Sequence, residues 1–243
     1  MKLALVIPTY ERVQKLKRLI DSIAEQTYKN FDVHIYCDNK DEETASSITE
    51  YIINKKYSFS VYVNVNQKRE LVIGSWNKFF KAMFREYKDY NYDAVQWLVD
   101  DVELYPDFLE QVVNYMKYNF SDTDGVIGTN QICPGHPRYT FKWYGQACLG
   151  KKFIERYKDV DYQVCCPFYN HFFQDEEMFL FASKNRKFIE GRKAILKHYH
   201  PSFVREEKDT THSIVRGDMQ YQDKTTYLSR RGRNLLWGES FEK

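Results

Sequence analysis

The first hundred residues alternate between two hydrophobic periodicities, and this alternation constrains the fold more tightly than any other feature. Leu3-Ala4-Leu5-Val6-Ile7 is a continuous apolar run stopped by Pro8, the pattern of a strand buried on both faces. Val13, Leu16, Ile20 and Ile23 then recur at helical spacing. The exchange repeats, with Phe31 to Cys37 as a strand and Ala45, Ile48, Tyr51 and Ile52 as a helix. Phe59 to Val65 reads as a third strand, with Phe59, Val61, Val63 and Val65 on one side. Trp76, Phe79, Phe80, Met83 and Tyr87 mark a third helix, and Ala94 to Val99 a fourth strand that stops at Asp100-Asp101. Strands that alternate with helices are joined by right-handed crossovers, so the pattern predicts an α/β fold on a mostly parallel, Rossmann-like sheet flanked by helices.

The second half is less regular. Asp107 to Tyr118 reads as a helix, with Phe108, Val112, Tyr115 and Met116 on one face. Gly125 to Gly128 suggests a short strand, and Gln131 to Gly145 a loop carrying Pro134, Gly135 and Pro137. A helix is expected over Asp175 to Ser183 and a strand over Ala194 to Tyr199, after which the sequence turns polar and weakly periodic. With 243 residues, 43% of them hydrophobic, the chain can build one sizeable core, so one domain with a small terminal extension is expected.

Several classes are disfavoured. Thirty-six basic against 34 acidic residues give a net charge of +2, too little for a global field toward a phosphate polymer. The local run Arg230-Arg231-Gly232-Arg233 reads as a solvated tail. The five cysteines are odd in number, include the adjacent Cys165-Cys166, and show no CxxC pair, so neither a disulfide framework nor a zinc site is signalled. The apolar N-terminal run is too short for a signal peptide, and no run approaches a membrane span, so a soluble, cytoplasmic protein is expected. No GxGxxG follows the first strand and no GxxxxGK[ST] occurs, so neither a dinucleotide fingerprint nor a Walker-type phosphate loop is present.

In parallel α/β sheets ligands bind beyond the carboxyl ends of the strands. Thr9-Tyr10-Glu11-Arg12, Asp38-Asn39 and Asp100-Asp101 all fall just past such ends. Carboxylates ending a buried strand are costly unless a cation or backbone N–H groups meet them. A hard divalent cation would do so and would also bind a diphosphate; an acidic turn capping the helix from Asp107 is the plainer alternative. Asp175-Glu176-Glu177 opens a helix, where acidic side chains suit the helix dipole, although a carboxylate there could also serve as a general base. His198 and His200 lie on one face of a strand, as a metal-binding pair would. An aromatic content of 17% fits stacking on sugar or base faces as well as a simple compositional bias.

Together these segments resemble a family 2 glycosyltransferase of the GT-A fold, a nucleotide-sugar-dependent, inverting family, from about Lys2 to His200. Leu5-Val6-Ile7-Pro8-Thr9-Tyr10-Glu11-Arg12 is similar to the family's first strand and nucleotide-binding loop. Cys37-Asp38-Asn39 looks like its second strand end, whose Asp meets a uracil-type base, and Gly74-Ser75-Trp76-Asn77-Lys78 like its Gly- and Asn-bearing segment. Val99-Asp100-Asp101 stands in place of the DxD motif and Asp175-Glu176-Glu177 where the acceptor-side base is placed; His198 resembles the late His of the metal site. Aligned on Pro106-Asp107, the first Asp of DxD falls on Val99, and the Glu-Asp pair appears as Gln174-Asp175. The family's common Arg after that pair is not evident in Met178 to Lys184.

The resemblance implies a domain at residues 1–203, with a nucleotide-sugar-binding half at 1–105 and an acceptor-side half at 106–203. Residues 204–243 are expected to form an extension packing on or near the active site. It implies Mn2+ or Mg2+ held by Asp101 with His198 (His200 remaining the alternative), a donor met by Pro8, Thr9, Tyr10, Glu11, Arg12, Asp38, Asn77 and Asp100, and Asp175 as catalytic base. The partners implied are a nucleotide sugar, UDP-linked on the strength of Asp38 with dTDP and GDP open, and a glycan or other hydroxyl acceptor. Residues 134–169 would shape the acceptor pocket, where Trp143, Tyr144, Tyr169 and His171 are stacking candidates. A nucleotidyltransferase on a similar sheet is the rival, although Pro8-Thr9-Tyr10-Glu11-Arg12 lacks its Gly-rich loop; a non-catalytic nucleotide-sugar-binding module is another. Arg230, Arg231 and Arg233 with Trp237 leave a nucleic-acid acceptor as the weaker alternative.

Overall fold

The computed structural model describes residues 1–134, 143–201, 204 and 217–239. The first half runs β1 (Leu3–Thr9), α1 (Val13–Ala24), β2 (Phe31–Cys37), α2 (Glu42–Lys55), β3 (Ser60–Val65), α3 (Leu71–Arg85) and β4 (Ala94–Trp97). The second half runs β5 (Val102–Leu104), α4 (Phe108–Asn119), β6 (Val126–Ile132), β7 (Cys148–Gly150), α5 (Lys151–Glu155), α6 (Gln174–Lys184), β8 (Phe188–His198) and α7 (Asp218–Gly232). Eight strands make one sheet in the order β3-β2-β1-β4-β7-β6-β8-β5. β1 pairs in parallel with β2 and β4, β2 with β3, and β6 with β8. β7 lies antiparallel to both β4 and β6, and β5 antiparallel to β8. The α/β expectation holds, with a mixed second half.

Alternation along β1 divides the core. Leu3, Leu5 and Ile7 pack with Leu16, Leu19, Ile20 and Ile23 of α1 and with the buried stripe Phe108, Leu109, Val112, Val113 and Met116 of α4. Ala4 and Val6 face the other layer, with Trp76, Phe79 and Phe80 of α3, Trp97, Phe153 of α5, Phe181 of α6 and Tyr227 of α7. Much of the aromatic content is therefore core; Trp76 and Trp97 stack with centroids 4.6 Å apart.

Pro8 sits inside β1 without loss. Residues of this strand alternate between its two neighbours, and Val6 O already accepts from Leu98 N on the β4 side. β4 pairs only with Leu3 to Val6, so the position where Pro8 has no N–H faces no partner strand.

Several elements differ from the sequence reading. α3 starts at Leu71 rather than near Trp76 because Asp38 caps its first turn. The fourth strand ends at Trp97, and the chain crosses from the sheet centre to its far edge before re-forming as β5. β6 extends through Gln131-Ile132, where a loop was expected, and β8 starts at Phe188 and ends at His198, which puts His200 past the strand. The C-terminal run is no solvated tail: Arg230 is buried and bidentate on the equally buried Glu177 of α6, Nη2 to Oε1 at 2.8 Å and Nε to Oε2 at 3.0 Å. Glu177 also accepts from Trp237 N at 2.6 Å and Tyr169 Oη at 2.5 Å. All five cysteines are buried as unbridged thiols. Among the described residues no helix is long and apolar enough to cross a membrane.

Candidate active site

The carboxyl ends of the first strands are laced together. Asp38 N donates to Thr9 O at 2.9 Å and Asn66 N to Cys37 O at 2.8 Å. The loop after β1 turns through Glu11 at φ 54°, with Glu11 N donating to Asp41 Oδ2 at 2.6 Å. Where the chain leaves β4, the Asp100 side chain reaches back across the sheet edge. It accepts from Thr9 Oγ1 and from Arg12 Nη1, both at 2.8 Å. Asp100 is thus the clasp between the first loop and the end of β4. Burial pushes its pKa up, as does the charge of Asp101, while Arg12 opposes both.

Asp101 turns the other way and meets the end of β8. Its Oδ1 lies 3.3 Å from His198 Nε2, and Tyr199 N donates to its backbone carbonyl at 2.9 Å. Burial alone would raise its pKa, but His198, then Arg12 and His200, outweigh that and hold it well below the usual carboxylate range. His198 Nδ1 lies 3.0 Å from Gln131 Oε1. A carbonyl oxygen only accepts, so Nδ1 donates to Gln131 and Nε2 is the ring nitrogen turned toward Asp101. Asp101 Oδ1 is shut off from water at this edge and has no hydrogen-bond partner among the described residues. A divalent cation held between the two would satisfy that oxygen, with Gln131 as the outer partner that orients the imidazole. Asp101 and His198 thus fit the expected Mn2+ or Mg2+. They supply two ligands; among the described residues no three His, Cys, Asp or Glu side chains gather at metal-binding spacing, so bound ligand or water oxygens would complete the shell. His200 stands edge-on to His198, with ring centroids 5.3 Å apart.

Asp175 enters from the start of α6. A Cβ built on Gly145 would stand 3.7 Å from Asp175 Oδ2 and 3.1 Å from Gln131 Nε2, so the carboxylate shares a wall with the group that orients His198. Gly145 keeps that wall open. The neighbouring acids are committed elsewhere, Glu176 to Tyr227 and Glu177 to Arg230. His171 lies within electrostatic reach of Arg12, Asp101 and Arg69. Tyr169 is mostly buried with its hydroxyl on Glu177, and it borders the cleft beside α3. The side chains of Trp143 and Tyr144 lie outside the described residues.

Two expected donor contacts have other partners. Asp38 accepts from Glu70 N at 2.8 Å, Leu71 N at 3.0 Å and Asn66 Nδ2 at 3.2 Å, so its carboxylate caps α3. Asn77 exchanges two hydrogen bonds with the Cys165 backbone, Nδ2 to O at 2.8 Å and N to Oδ1 at 2.9 Å, and ties α3 to the 165 loop. The sequence reading missed Arg69, whose guanidinium lies 4.5 Å from the Tyr10 ring centroid. It also missed Gln131, which lies in the polar end of β6 (Thr129-Asn130-Gln131) and carries no local signal. A cleft of about 380 Å³ runs between the start of α3 and the 161–170 loop, lined by Arg69, Gly74, Asn77, Lys78 and Asn170 among others.

A mostly parallel sheet flanked by helices, with two aspartates just past the end of its central strand β4, is the architecture of the GT-A class of α/β transferases. The chain belongs to glycosyl transferase family 2, whose model matches residues 4–179, and is a glycosyltransferase. No curated protein sequence matches it. Its fold is similar to that of S. aureus TarS 1-349, with a TM-score of 0.63 at 16% identity over 96% of this chain and 72% of that one. It is also similar to the mannosyltransferase PcManGT from Pyrobaculum calidifontis in complex with GDP-Man and Mn2+, with a TM-score of 0.66 at 12% identity over 96% of this chain and 64% of that one. TarS 1-349 in complex with UDP-GlcNAc gives 0.59 at 14% identity, over 97% and 74%.

Proposed function

We propose that this glycosyltransferase moves a sugar from a nucleoside-diphosphate donor, a UDP-sugar, to a hydroxyl of a glycan acceptor with inversion at the anomeric carbon. The observation that carries this reading is the continuity of Asp101, His198, Gln131 and Asp175 along one wall. The uridine assignment is supported by the likeness to TarS, whose structures include complexes with UDP and UDP-GlcNAc.

In this reading Pro8 to Arg12 and Asp100 form the floor under the donor, with Asp38 and Asn77 holding its edges in place. Asp101 and His198 would hold Mn2+ or Mg2+, which supplies neutralisation of charge on the leaving diphosphate. Asp175 accepts the proton from the acceptor hydroxyl as that oxygen bonds to the anomeric carbon. The bond from that carbon to the phosphate oxygen breaks, and the nucleoside diphosphate leaves with the electron pair.

Because a general base supplies roughly 10²–10⁴ in rate, Asp175→Asn should lower turnover by about that factor while donor affinity, read by calorimetry, stays within about twofold. The donor is found first by a thermal-shift screen of UDP-GlcNAc, other UDP-sugars and GDP-mannose with and without Mn2+. Unchanged turnover in Asp175→Asn removes that residue from the role. Absence of both binding and hydrolysis for every nucleotide sugar sinks the donor class.

A further inference from the structure

The backbone leading into α6 is held in a conformation that its residues do not favour. Phe173 has φ 68°, a left-handed geometry disfavoured for a bulky side chain. Such geometry persists where surrounding contacts over-determine it, and here the contacts come from α7. Asp223, fully buried on that helix, accepts the backbone N–H groups of Asn170, His171 and Phe172, each at 2.8 Å. It also accepts from Asn170 Nδ2 at 2.9 Å. Its carboxylate is thus spent on three consecutive amides of another segment. One turn along the same face of α7, Tyr227 stacks on the Phe173 ring, with centroids 5.0 Å apart and planes 18° off parallel, and donates to Glu176 at 2.7 Å.

The segment held in this way carries His171. Its Nδ1 is buried and has no hydrogen-bond partner among the described residues. Arg12, Asp101 and Arg69 act on this ring electrostatically, and the neighbouring Asn170 lines the cleft with Arg69 and Asn77. Two residues on, α6 begins and delivers Asp175. Asp223 lies outside residues 4–179, the part matched by the family model.

We propose that Asp223 is a positioning residue for sugar transfer: from α7 it clamps the amides of residues 170–172 and the left-handed turn at Phe173, which sets Asn170 at the edge of the cleft and Asp175 at the start of α6. The proposal rests on the reading of Asp175 as base. An asparagine at 223 keeps the shape and one accepting oxygen but turns an NH2 group toward amides that need an acceptor, so half of the clamp is lost with little change in volume.

Hydrogen exchange and kinetics on the full chain test this. In Asp223→Asn, exchange at residues 170–172 should quicken by at least about 10-fold, with the β1–β4 half unchanged. Turnover in UDP-GlcNAc hydrolysis with Mn2+ should fall about 10- to 100-fold, as for a displaced catalytic group, with KM within about twofold. Asp223→Glu, whose carboxylate is displaced by one methylene, should show both effects more weakly and guards against a variant that does not fold. The proposal is overturned if exchange at 170–172 is unchanged in either variant, if exchange quickens without loss of turnover, or if KM and turnover change together. Asp175→Asn run in parallel separates the two readings: full activity there ends the base assignment, while the exchange result still decides whether Asp223 is the clamp. If the parent does not hydrolyse UDP-GlcNAc, the choice of donor fails, and unchanged exchange remains sufficient to reject the clamp.

Discussion

At the scale of single residues, two adjacent aspartates in the turn between β4 and β5 have different tasks because the turn aims their side chains at different partners. Asp100 turns to Thr9 and Arg12 and closes the first loop, whereas Asp101 turns to His198 and keeps a buried oxygen unsatisfied by protein donors. The sequence reading of Asp101 as principal ligand and Asp100 as donor-side acid leads to separable effects. Asp101→Asn preserves shape but removes a charge from the cation site. It should weaken the Mn2+-dependent part of UDP binding by at least about 10-fold, given that even outer-shell changes cost 10- to 100-fold. Calorimetry with and without Mn2+ reads this directly; equal Mn2+ dependence in parent and variant would leave Asp101 without a metal role.

At the scale of elements, α7 and α6 behave as one unit. Glu177 and Arg230 are each 2% exposed, and Trp237 N and Tyr169 Oη complete the carboxylate's partners. Removing one member of a buried pair strands the other charge, a loss of about 3–5 kcal/mol. Arg230→Met should therefore cost about that much in urea unfolding, and adding Glu177→Gln should recover part of it. A loss below about 1 kcal/mol would mean that Glu177 is satisfied without the arginine. Nothing in the local sequence of residues 218–232 announced this partnership. The helix is polar on most of its surface, and only Asp223, Tyr227 and Arg230, at spacings of four and three, face inward.

At the scale of the whole molecule, two histidines at separate places, the buried His34 and the partly exposed His171, have depressed pKa values. His34 lies among Tyr62, Phe79, Tyr87 and Tyr92; burial lowers its pKa to about 4, with Lys2 adding to the effect and Asp32 opposing it. Burial, helped by Arg12, likewise lowers His171 to about 4, against Asp223 and Asp101. In the unfolded chain both take up protons near pH 6.5, so between pH 6.5 and 4 the unfolded state binds more protons than the native one. Stability is then full above that window and is lost as pH falls through it. Between pH 7 and pH 4 the parent should lose about 3 kcal/mol more than His34→Gln, from 1.36 kcal/mol per pKa unit. Equal losses in urea titrations at the two pH values would show that His34 is charged in the native protein.

The sequence by itself determined the α/β alternation, the strand ends at Thr9, Asp38 and Asp100-Asp101, and the apolar faces of α1 and α4. Each of these depends on a local periodicity or on a polar residue that ends an apolar run. It also placed Asp101, His198 and Asp175 as candidates through their resemblance to known motifs. Tertiary structure decided what no short window encodes. The three-residue strands β5 and β7 exist only because β8, β4 and β6 are there to pair with them. Asp38 became a helix cap and Asn77 a tie because their partners, Glu70 and Leu71 in one case and Cys165 in the other, were brought to them by the fold. Gln131 and Asp223 gained their tasks in the same way, from a histidine and a loop far along the chain. A hydrogen bond is written into the sequence only when both of its ends lie in one element; when they do not, the packing of the sheet and its helices selects the pair.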